Sequence, residues 1–492
     1  MASGNAVRLA RAVSISLSVG AVLAGLPALA APGDPLGPAF LVGPTSGIGR
    51  PVVARSASGE FVVVWHNPGA SDSGVTAQRF HADGSTDGGA IAVVASGTTV
   101  PDLSVAMDGA GDFVVAWTAF NSVATAWAQR FPAAGAAGVA FQLDGASSGV
   151  RSSASPSVAM NADGSFVVAW LRSVDSGALQ YNLPPIPDCP NGAVGLELND
   201  PAIAFRRYNA AGAAQGQGPG ITEAKPGIGF SAYVCLAELE IYAGTSSLGP
   251  NGGSTLSAPV TAIGPGGGFS IAWAETEYDG VSLDFLPPAL LAPTHVSIQP
   301  YSAGGLPLGV QQVVALTPGL VAGNAAVQAP RVAQGTAGGI LIWDAYSYQS
   351  STQSNQYAVK LRSFDNIGLP LQLFADTVAS GEQVFPWGDY LADVAATPDG
   401  SVVAWRSTSS SGATETQQIN LQRLGSSGAL LGAPIVAASA VPSSPSLSYT
   451  QTLTLTAPAI ASDGSGNFAV FWTTLNYDAS QVLTYGRLYS GG

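Results

Sequence analysis

Three short segments of the chain combine carboxylates with aromatic rings. Our candidate ligand-binding residues in these segments are Glu275, Glu277, Tyr278, Asp279, Asp344, Tyr346, Tyr348, Trp387 and Asp389. A ring can stack on the apolar face of a sugar or peptide, and a carboxylate can fix a hydroxyl or an amine. The segments therefore predict a binding site, with packing of loops onto the fold as the alternative for each ring.

Signals for catalysis are weaker. Glu275, Glu277 and Asp344 could supply the two carboxylates of glycoside hydrolysis, but the sequence does not fix the separation that this mechanism requires. Gly145-Ala-Ser147-Ser-Gly149 matches a nucleophile-elbow string, yet it lies in a turn of small residues and not between a strand and a helix. We therefore assign no catalytic residue, and a non-enzymatic protein is favoured.

No group of residues has the spacing of a metal or cofactor site. The three histidines, whose spacing fits neither a zinc site nor a catalytic triad, are His66, His81 and His295. Five aspartates lie in glycine-containing turns, where a structural role in the hairpin explains them: Asp83, Asp108, Asp163, Asp399 and Asp463. We expect no metal and no cofactor, with Ca²⁺ as the alternative that these acids leave open.

The candidate residues follow a repeated hairpin. Seven times, a short apolar strand ending in Ala is followed by a glycine-containing turn and a second strand that ends in Trp, at Trp65, Trp117, Trp170, Trp273, Trp343, Trp405 and Trp472. The second strand is apolar on both faces, as FVVVW at 61–65 illustrates, and this is typical of a strand packed between layers. Each unit must bury its faces against its neighbours.

A third and a fourth strand complete each unit. The third ends in a Gln/Arg-aromatic step, as in VTAQRF at 75–80, and a Gly follows four residues later. Four antiparallel strands in seven repeats predict an all-β fold, a seven-bladed β-propeller. The pattern Pro-x-Val-Ala…Asp-Gly-x-Phe-Val-Val-x-Trp…Gln-Arg-Phe…Gly resembles the repeats of secreted bacterial β-propeller proteins with NHL-like blades, a resemblance that implies an architecture and no activity.

The two ends of the chain predict closure of the ring. The last repeat stops after its third strand, at Tyr489-Ser490-Gly491-Gly492, while Gly33 to Val42 resembles a fourth strand without a unit. We expect this N-terminal strand to complete the last blade, since closure leaves no open sheet edge.

The spacing of the tryptophans locates two insertions. Trp170 and Trp273 are much farther apart than Trp65, Trp117 and Trp170 are from one another, because segments at about 171–200 and 221–256 are added. An eighth, degenerate blade within 171–256 stays open as an alternative.

Loop lengths distinguish the two faces of such a propeller. Turns between first and second strands and between third and fourth strands are short, and we name their side the plain face. The longer connections lie on the opposite side, the built-up face, where we expect function. Arginines that recur at the third strand, which we expect to bridge neighbouring blades or to cap backbone carbonyls, are Arg79, Arg130, Arg207, Arg423 and Arg487.

The N-terminus has the features of an export signal. Arg8 and Arg11 precede the apolar stretch Ala12 to Leu26, and Ala28-Leu29-Ala30 fits the small-x-small cleavage rule. We expect a signal peptide at 1–30, a single propeller domain at 31–492 and a secreted protein, periplasmic or extracellular, without a membrane span. The oxidising setting favours a Cys189–Cys235 disulfide, with two free thiols as the alternative.

The net charge of −14 disfavours nucleic acid and anionic membranes as partners, since both require a basic surface. The main hypothesis is a secreted, monomeric binding or adhesion module for a glycan, a peptide or another surface protein, acting through the built-up face. The alternatives are a polysaccharide-active hydrolase or lyase that uses loop carboxylates, and a structural surface component.

Overall fold

The computed structural model describes the chain in segments. These are residues 30–44, 50–67, 73–144, 150–182, 193–215, 222–225, 229–236, 239–242, 246–249, 252–279, 294–316, 325–336, 338–349, 354–365, 376–383, 392–411, 414–440, 454–476 and 481–491. Within them, all of the named elements are β-strands. The chain is an all-β propeller.

The first strand, β1 (Phe40–Pro44), belongs to the last sheet, and the strands that follow it form a sheet of eight. These are β2 (Val52–Arg55), β3 (Phe61–His66), β4 (Ser73–Phe80), β5 (Thr86–Thr99), β6 (Leu103–Met107), β7 (Phe113–Asn121), β8 (Val123–Phe131) and β9 (Phe141–Gln142). The sheet contains the hairpins of Trp65 and Trp117, joined where Thr99 of β5 pairs with Phe120 of β7.

The second sheet has thirteen strands. They are β10 (Val150–Met160), β11 (Phe166–Asn182), β12 (Ala193–Tyr208), β13 (Ala214–Gln215), β14 (Thr222–Lys225), β15 (Gly229–Leu236), β16 (Leu239–Tyr242), β17 (Ser246–Gly249), β18 (Gly252–Leu256), β19 (Val260–Ile263), β20 (Phe269–Asp279), β21 (Thr294–Tyr301) and β22 (Gln312–Leu316). It contains the hairpins of Trp170 and Trp273, which are connected through β15, β17 and β18.

Two sheets of four strands follow, each with its strands in chain order. The first contains β23 (Ala325–Gly335), β24 (Gly338–Gln349), β25 (Ser354–Phe364) and β26 (Asp376–Gln383). The second contains β27 (Asp393–Thr397), β28 (Gly400–Ser411), β29 (Thr414–Gly425) and β30 (Leu430–Ala440). Each has one Ala-to-Trp hairpin, that of Trp343 or Trp405.

The last sheet joins the two ends of the chain. Its strands are β31 (Thr454–Leu455), β32 (Ala459–Ser462), β33 (Phe468–Asn476) and β34 (Gln481–Tyr489), with β1 antiparallel to β34. Phe40 pairs with Gly486 and Leu41 with Tyr485. The prediction that the N-terminal strand completes the last blade is thus confirmed: β1 spans Phe40–Pro44, and Gly33 and Leu36 add backbone hydrogen bonds to the same blade.

The prediction of seven blades is wrong, because the described residues form five sheets, each of them one blade. Seven Ala-to-Trp hairpins are present in the sequence, but backbone hydrogen bonds join two pairs of them into larger sheets. The fourth strand β5 extends to Thr99 and reaches β7 of the next hairpin. The insertion at about 221–256 supplies strands that connect β12 to β20, and the described part of 171–256 contains no separate sheet that could be an eighth blade.

The five blades close into a ring. The first strands of successive hairpins contact one another in the order β2, β6, β10, β19, β23, β27 and β32, and β32 in turn contacts β2. These strands surround the axis of the propeller. They begin on the built-up face, and the tryptophans of the second strands lie toward the same face.

Stacked rings explain the repeated aromatic positions. The first residue of a second strand stacks on the last aromatic of the third, as in Phe61 with Phe80, whose centroids are 4.8 Å apart, and Phe468 with Tyr489, at 5.0 Å. All seven tryptophans of the hairpins are buried. Apolar clusters combine residues of neighbouring hairpins, so each second strand is packed on both sides, as its sequence predicts.

Part of the sequence predictions falls outside the described residues. This holds for Cys189 and for residues 1–29 of the expected signal peptide, whereas Cys235 lies in β15. The disulfide and the export signal therefore stay predictions. In the described segments, no helix is long and apolar enough to cross a membrane.

Candidate functional site

The predicted ligand residues after Trp273 lie on a strand and not in a loop. β20 continues past this tryptophan, and Glu277, Tyr278 and Asp279 pair through their backbones with β18. The side chains of these three residues are not among those that the structure describes. Their role in binding stays a prediction.

The residues predicted after Trp343 also extend a strand. Tyr346 and Tyr348 lie in β24 and pair through their backbones with β25, with side chains outside the described set. Trp387 and Asp389 fall wholly outside the described residues.

Glu275 is buried beside a histidine. It lies opposite His295 in the register of β20 and β21, and Glu275 Oε2 is 3.4 Å from His295 Nε2. The two side chains are only 3% and 8% exposed, respectively. The structure thus gives Glu275 a cross-strand partner that the sequence did not indicate, and it places this carboxylate beneath the surface.

Charged residues from three hairpins meet where the first strands begin on the built-up face. We name Arg50, Arg331, Asp344 and Asp393 the Arg–Asp cluster. Arg50 precedes β2, Asp393 begins β27, and the other two lie in β23 and β24. β32 lies between β27 and β2 in the ring, so the cluster reaches across an intervening hairpin.

The contacts of Asp393 anchor the Arg–Asp cluster. Arg50 Nη2 lies 2.7 Å from Asp393 Oδ2, and the same oxygen accepts the backbone N–H of Ile460 at 3.0 Å. The Arg50 and Asp393 side chains are each 18% exposed. A pair that is fixed in place and still reaches solvent can contact a ligand.

Arg331 is the most deeply held cation of the cluster. Burial lowers its pKa to about 10; the charge of Arg50 acts in the same direction, whereas Asp393 and Asp344 raise the pKa. Its Nη1 donates to the carbonyl of Pro330 at 2.8 Å. At neutral pH the Arg331 side chain is protonated. The cluster therefore contains two positively charged guanidinium groups and two carboxylates, close enough for their charges to act on the pKa of Arg331.

A second polar group lies at the start of the first strand β6. Asp102 Oδ2 accepts hydrogen bonds from Thr118 Oγ1 at 3.2 Å and Ser155 Oγ at 3.1 Å, and the backbone N–H of Ser155 donates to Thr118 Oγ1 at 2.8 Å. Ser155 has a φ of 52°, in the left-handed region that a non-glycine residue rarely adopts. These bonds hold the strained residue in place and connect neighbouring hairpins.

A buried carboxylate lies between the hairpins of Trp117 and Trp170. Trp170 Nε1 donates to Asp144 Oδ2 at 3.0 Å, and Arg172 Nε is 3.1 Å from Asp144 Oδ1. Burial raises the pKa of Asp144, whereas a hydrogen bond from Ser153 and the charge of Arg172 lower it. Because Asp144 is 2% exposed, we assign it to packing between hairpins.

The arginines of the third strands are structural, and four of the five cap backbone carbonyls as expected; Arg423 and Arg487 do so between blades, Arg79 and Arg207 between hairpins of one blade. Arg79 donates to the carbonyl of Pro132 in the next hairpin at 2.7 Å and also to that of Gly111. The other three that reach carbonyls of neighbouring hairpins are Arg207 to Ala303, Arg423 to Gly491 and Arg487 to Ala437. The fifth, Arg130, instead pairs at 2.6 Å with Asp112 of its own hairpin.

The turn aspartates of the plain face accept backbone hydrogen bonds. Asp108 Oδ1 accepts the N–H groups of Ala110 at 2.8 Å and Asp112 at 2.9 Å, and Asp463 Oδ1 does the same for Ser465 and Asn467. The predicted hairpin role is therefore confirmed for both. Among the described residues, no group of three or more His, Cys, Asp or Glu could hold a metal ion.

Sequence reasoning missed Arg50, Arg331 and Asp393. A signal was present at the position of the proline that recurs at the start of the first strands. Arg50 precedes this position, where other copies have Ser155 or Ala258, and Arg331 and Asp393 stand one position after it, where other copies have Val52 or Ser157. A charge at a repeated position that is uncharged in these other copies marks a local requirement.

No family model matches the chain, and no curated protein matches it. Similar folds occur among solved structures at very low identity. An ulvan polysaccharide lyase bound to -[GlcA(1-4)Rha3S]- aligns with 92% of this chain and 96% of its own, at 7% identity and a TM-score of 0.44.

Two further structures extend the comparison. The polysaccharide lyase Uly1 aligns with 89% of this chain and 90% of its own, at 10% identity and a TM-score of 0.41. An α-L-arabinanase from Penicillium chrysogenum, complexed with arabinobiose, aligns with 79% and 92%, at 10% identity and a TM-score of 0.32. These likenesses are in fold alone.

Proposed function

We propose that the protein is a polysaccharide-active hydrolase or lyase that works at the Arg–Asp cluster on the built-up face. The observation that carries this proposal is the meeting of Arg50, Arg331, Asp344 and Asp393, which come from three hairpins, near the axis. A long polymer can lie across an open face, and a rigid ring can hold reacting groups at fixed positions.

The side chains of the cluster fit the chemistry of glycan cleavage. Carboxylates transfer protons to and from a glycosidic oxygen or a sugar carbon, and guanidinium groups bind sugar hydroxyls or carboxylates and stabilise developing negative charge. Asp393 is oriented by Arg50 and Ile460, which makes it the better positioned base. Asp344, beside Arg331, is the second carboxylate.

A specific observation also favours a second function, glycan binding without cleavage. Arg50 and Asp393 already pair at 2.7 Å, and paired charges are well suited to hydrogen-bonding neutral sugar hydroxyls. This second candidate is the binding or adhesion module expected from the sequence.

One experiment separates the two functions. Purified protein is incubated with a panel of polysaccharides, and retained polymer and released fragments are measured in the same samples. A lyase leaves an unsaturated sugar that absorbs ultraviolet light, whereas a hydrolase leaves a new reducing end without that absorbance.

Three variants assign the outcome to the cluster. We expect Asp393→Asn and Asp344→Asn to reduce fragment release at least about tenfold, the usual scale for general acid–base groups. Asp112→Asn, which removes an ion pair on the plain face, is the matched control and should release fragments at the normal rate. Retention without fragments would support the binding module, and neither retention nor fragments would contradict both functions.

A further inference from the structure

The mature N-terminus predicted from the sequence coincides with the start of a structural clasp. Gly33 N–H donates to Ser490 O at 2.8 Å, Ser490 N–H donates to Asp34 O at 2.9 Å, and Leu36 N–H donates to Leu488 O at 2.9 Å. We name residues 31–36 with their partners in 488–490 the N-terminal clasp. It extends the pairing of β1 with β34 along the last sheet.

Ala31 is held by a neighbouring carboxylate. Its backbone N–H donates to Asp34 Oδ2 at 2.8 Å, and Asp34 N–H donates to Ala31 O at 2.9 Å. Both residues are exposed. The carbonyl of the preceding Ala30, which is half-buried, accepts a hydrogen bond from Ser490 Oγ at 3.3 Å, and the nitrogen of Ala31 already lies against a negative charge.

Gly33 explains why the chain can turn here. Its φ is +90°, and a Cβ at this position would lie 2.6 Å from Ile435 Cδ1. Only glycine adopts this conformation without strain so close to another side chain. The clasp is therefore specified locally by Gly33 and Asp34, which are separate from the Ala28-Leu29-Ala30 pattern that predicts cleavage.

We propose that the Ala30–Ala31 peptide bond is a processing site, and that the ammonium group released at Ala31 pairs with the Asp34 carboxylate to complete the clasp. The reaction is a hydrolysis by a signal peptidase of the export machinery. Water adds across the bond. A carboxylate forms at Ala30, the new C-terminus of the peptide that departs, and an ammonium group forms at Ala31 of the mature chain. A neutral N–H to carboxylate bond thereby becomes a charge-assisted one.

The first measurement is the N-terminal residue. The full-length precursor is expressed in a bacterium with an export pathway, and the exported protein is analysed by intact mass and N-terminal sequencing. The proposal requires Ala31 as the first residue; a different first residue, or an uncleaved chain, overturns it.

The second measurement tests the ion pair. Proteins that begin at Ala31 and at Ala30 are prepared as fusions and released by a site-specific protease. In the Ala31 protein, Asp34→Asn should lower the melting temperature by about 1–3 °C, as expected for one exposed ion pair, and 1 M salt should reduce this shift. In the Ala30 protein the shift should be smaller, because the ammonium group is one residue farther away.

Asp83→Asn is the matched control. Asp83 is another exposed aspartate, and its carboxylate accepts a backbone N–H, that of Ser85, at 2.9 Å. Its effect on melting should be equal in the two proteins. If Asp34→Asn is also equal in both, Asp34 serves only the turn and the ion-pair proposal fails.

Discussion

The plain face and the built-up face of the propeller use charged side chains differently. On the plain face, Arg79 binds carbonyls of the next hairpin, and Arg55 pairs with Asp463 across the junction of the first and last hairpins at 3.2 Å. On the built-up face, Arg50 and Asp393 meet across an intervening hairpin and stay in contact with solvent.

This difference arises because some charged positions recur in most repeats of the chain and others occur in only one or two. Hairpin turns and third-strand arginines recur because neighbouring hairpins present similar backbone carbonyls, so one solution serves several junctions. A charge that occurs in one or two copies has no such partner in the other copies. Non-repeated charges are therefore the better guide to function in this chain, and repeated charges are the better guide to stability.

The largest effect is expected from a deletion that opens the ring, because both faces depend on its closure. Deletion of residues 30–44 removes β1 from β34 and also Phe40, whose ring lies 5.9 Å from Phe80 and 6.2 Å from Phe471. We expect a loss of at least about 4 kcal/mol in the free energy of unfolding, measured by denaturant titration. Phe40→Ala should cause part of this loss. Unchanged unfolding after the deletion would show that closure does not stabilise the ring.

The next effect tests the plain face. The side chains of Arg55 and Asp463 are 2% and 5% exposed, and removal of one partner leaves a buried charge. Arg55→Ala should cost about 3 kcal/mol of unfolding free energy. Arg55→Ala with Asp463→Asn should recover part of that cost, and neither variant should alter polymer retention. A loss of retention in folded protein would place function on the plain face as well.

A smaller effect on stability is expected on the built-up face. Asp393→Asn removes a partly exposed ion pair but keeps an oxygen for the N–H of Ile460. We expect a cost of about 1 kcal/mol in unfolding free energy. Fragment release or polymer retention should fall far more than this stability loss explains. Equal losses of stability and function would make the cluster a structural feature.

The sequence predicted the blade-forming hairpins well, because their information is local. Periodicity, the glycine before each second strand and the stacked pair of Phe61 and Phe80 all follow from one unit and its neighbour. The number of blades was wrong because it depends on hydrogen bonds between units. Thr99 reaches Phe120 only through the length and direction of β5, which no repeat motif specifies.

The candidate site was less predictable for the same reason. Glu275 and Asp344 attracted attention by their place after a tryptophan, but the partner of Glu275 is His295, on the next strand. Arg50 and Asp393 are far apart in sequence and meet only because the ring closes. Contacts between side chains that are brought together by ring closure depend on the whole fold, so patterns in a single sequence cannot reveal them.

The smallest effect compares one aspartate from each face by its response to pH. Burial raises the pKa of Asp144, so the folded state binds its proton more tightly than the unfolded chain does. Its contribution to stability is greatest below about pH 3.9, the unfolded value, and is lost as the pH rises through the raised pKa. Hydrogen bonds from Ser165 lower the pKa of the exposed Asp163, which gives the opposite sign.

The measurement is the free energy of unfolding between about pH 2 and pH 7, the range that spans ordinary and shifted aspartate pKa values, for wild type, Asp144→Asn and Asp163→Asn. As the pH rises, wild type should lose stability relative to Asp144→Asn. As the pH falls through the lowered pKa, wild type should lose stability relative to Asp163→Asn, by a smaller amount because solvent screens an exposed charge. The stability difference between wild type and each variant should therefore change with pH in opposite directions. A change in the same direction for both variants would contradict the electrostatic distinction between the buried Asp144 and the exposed Asp163.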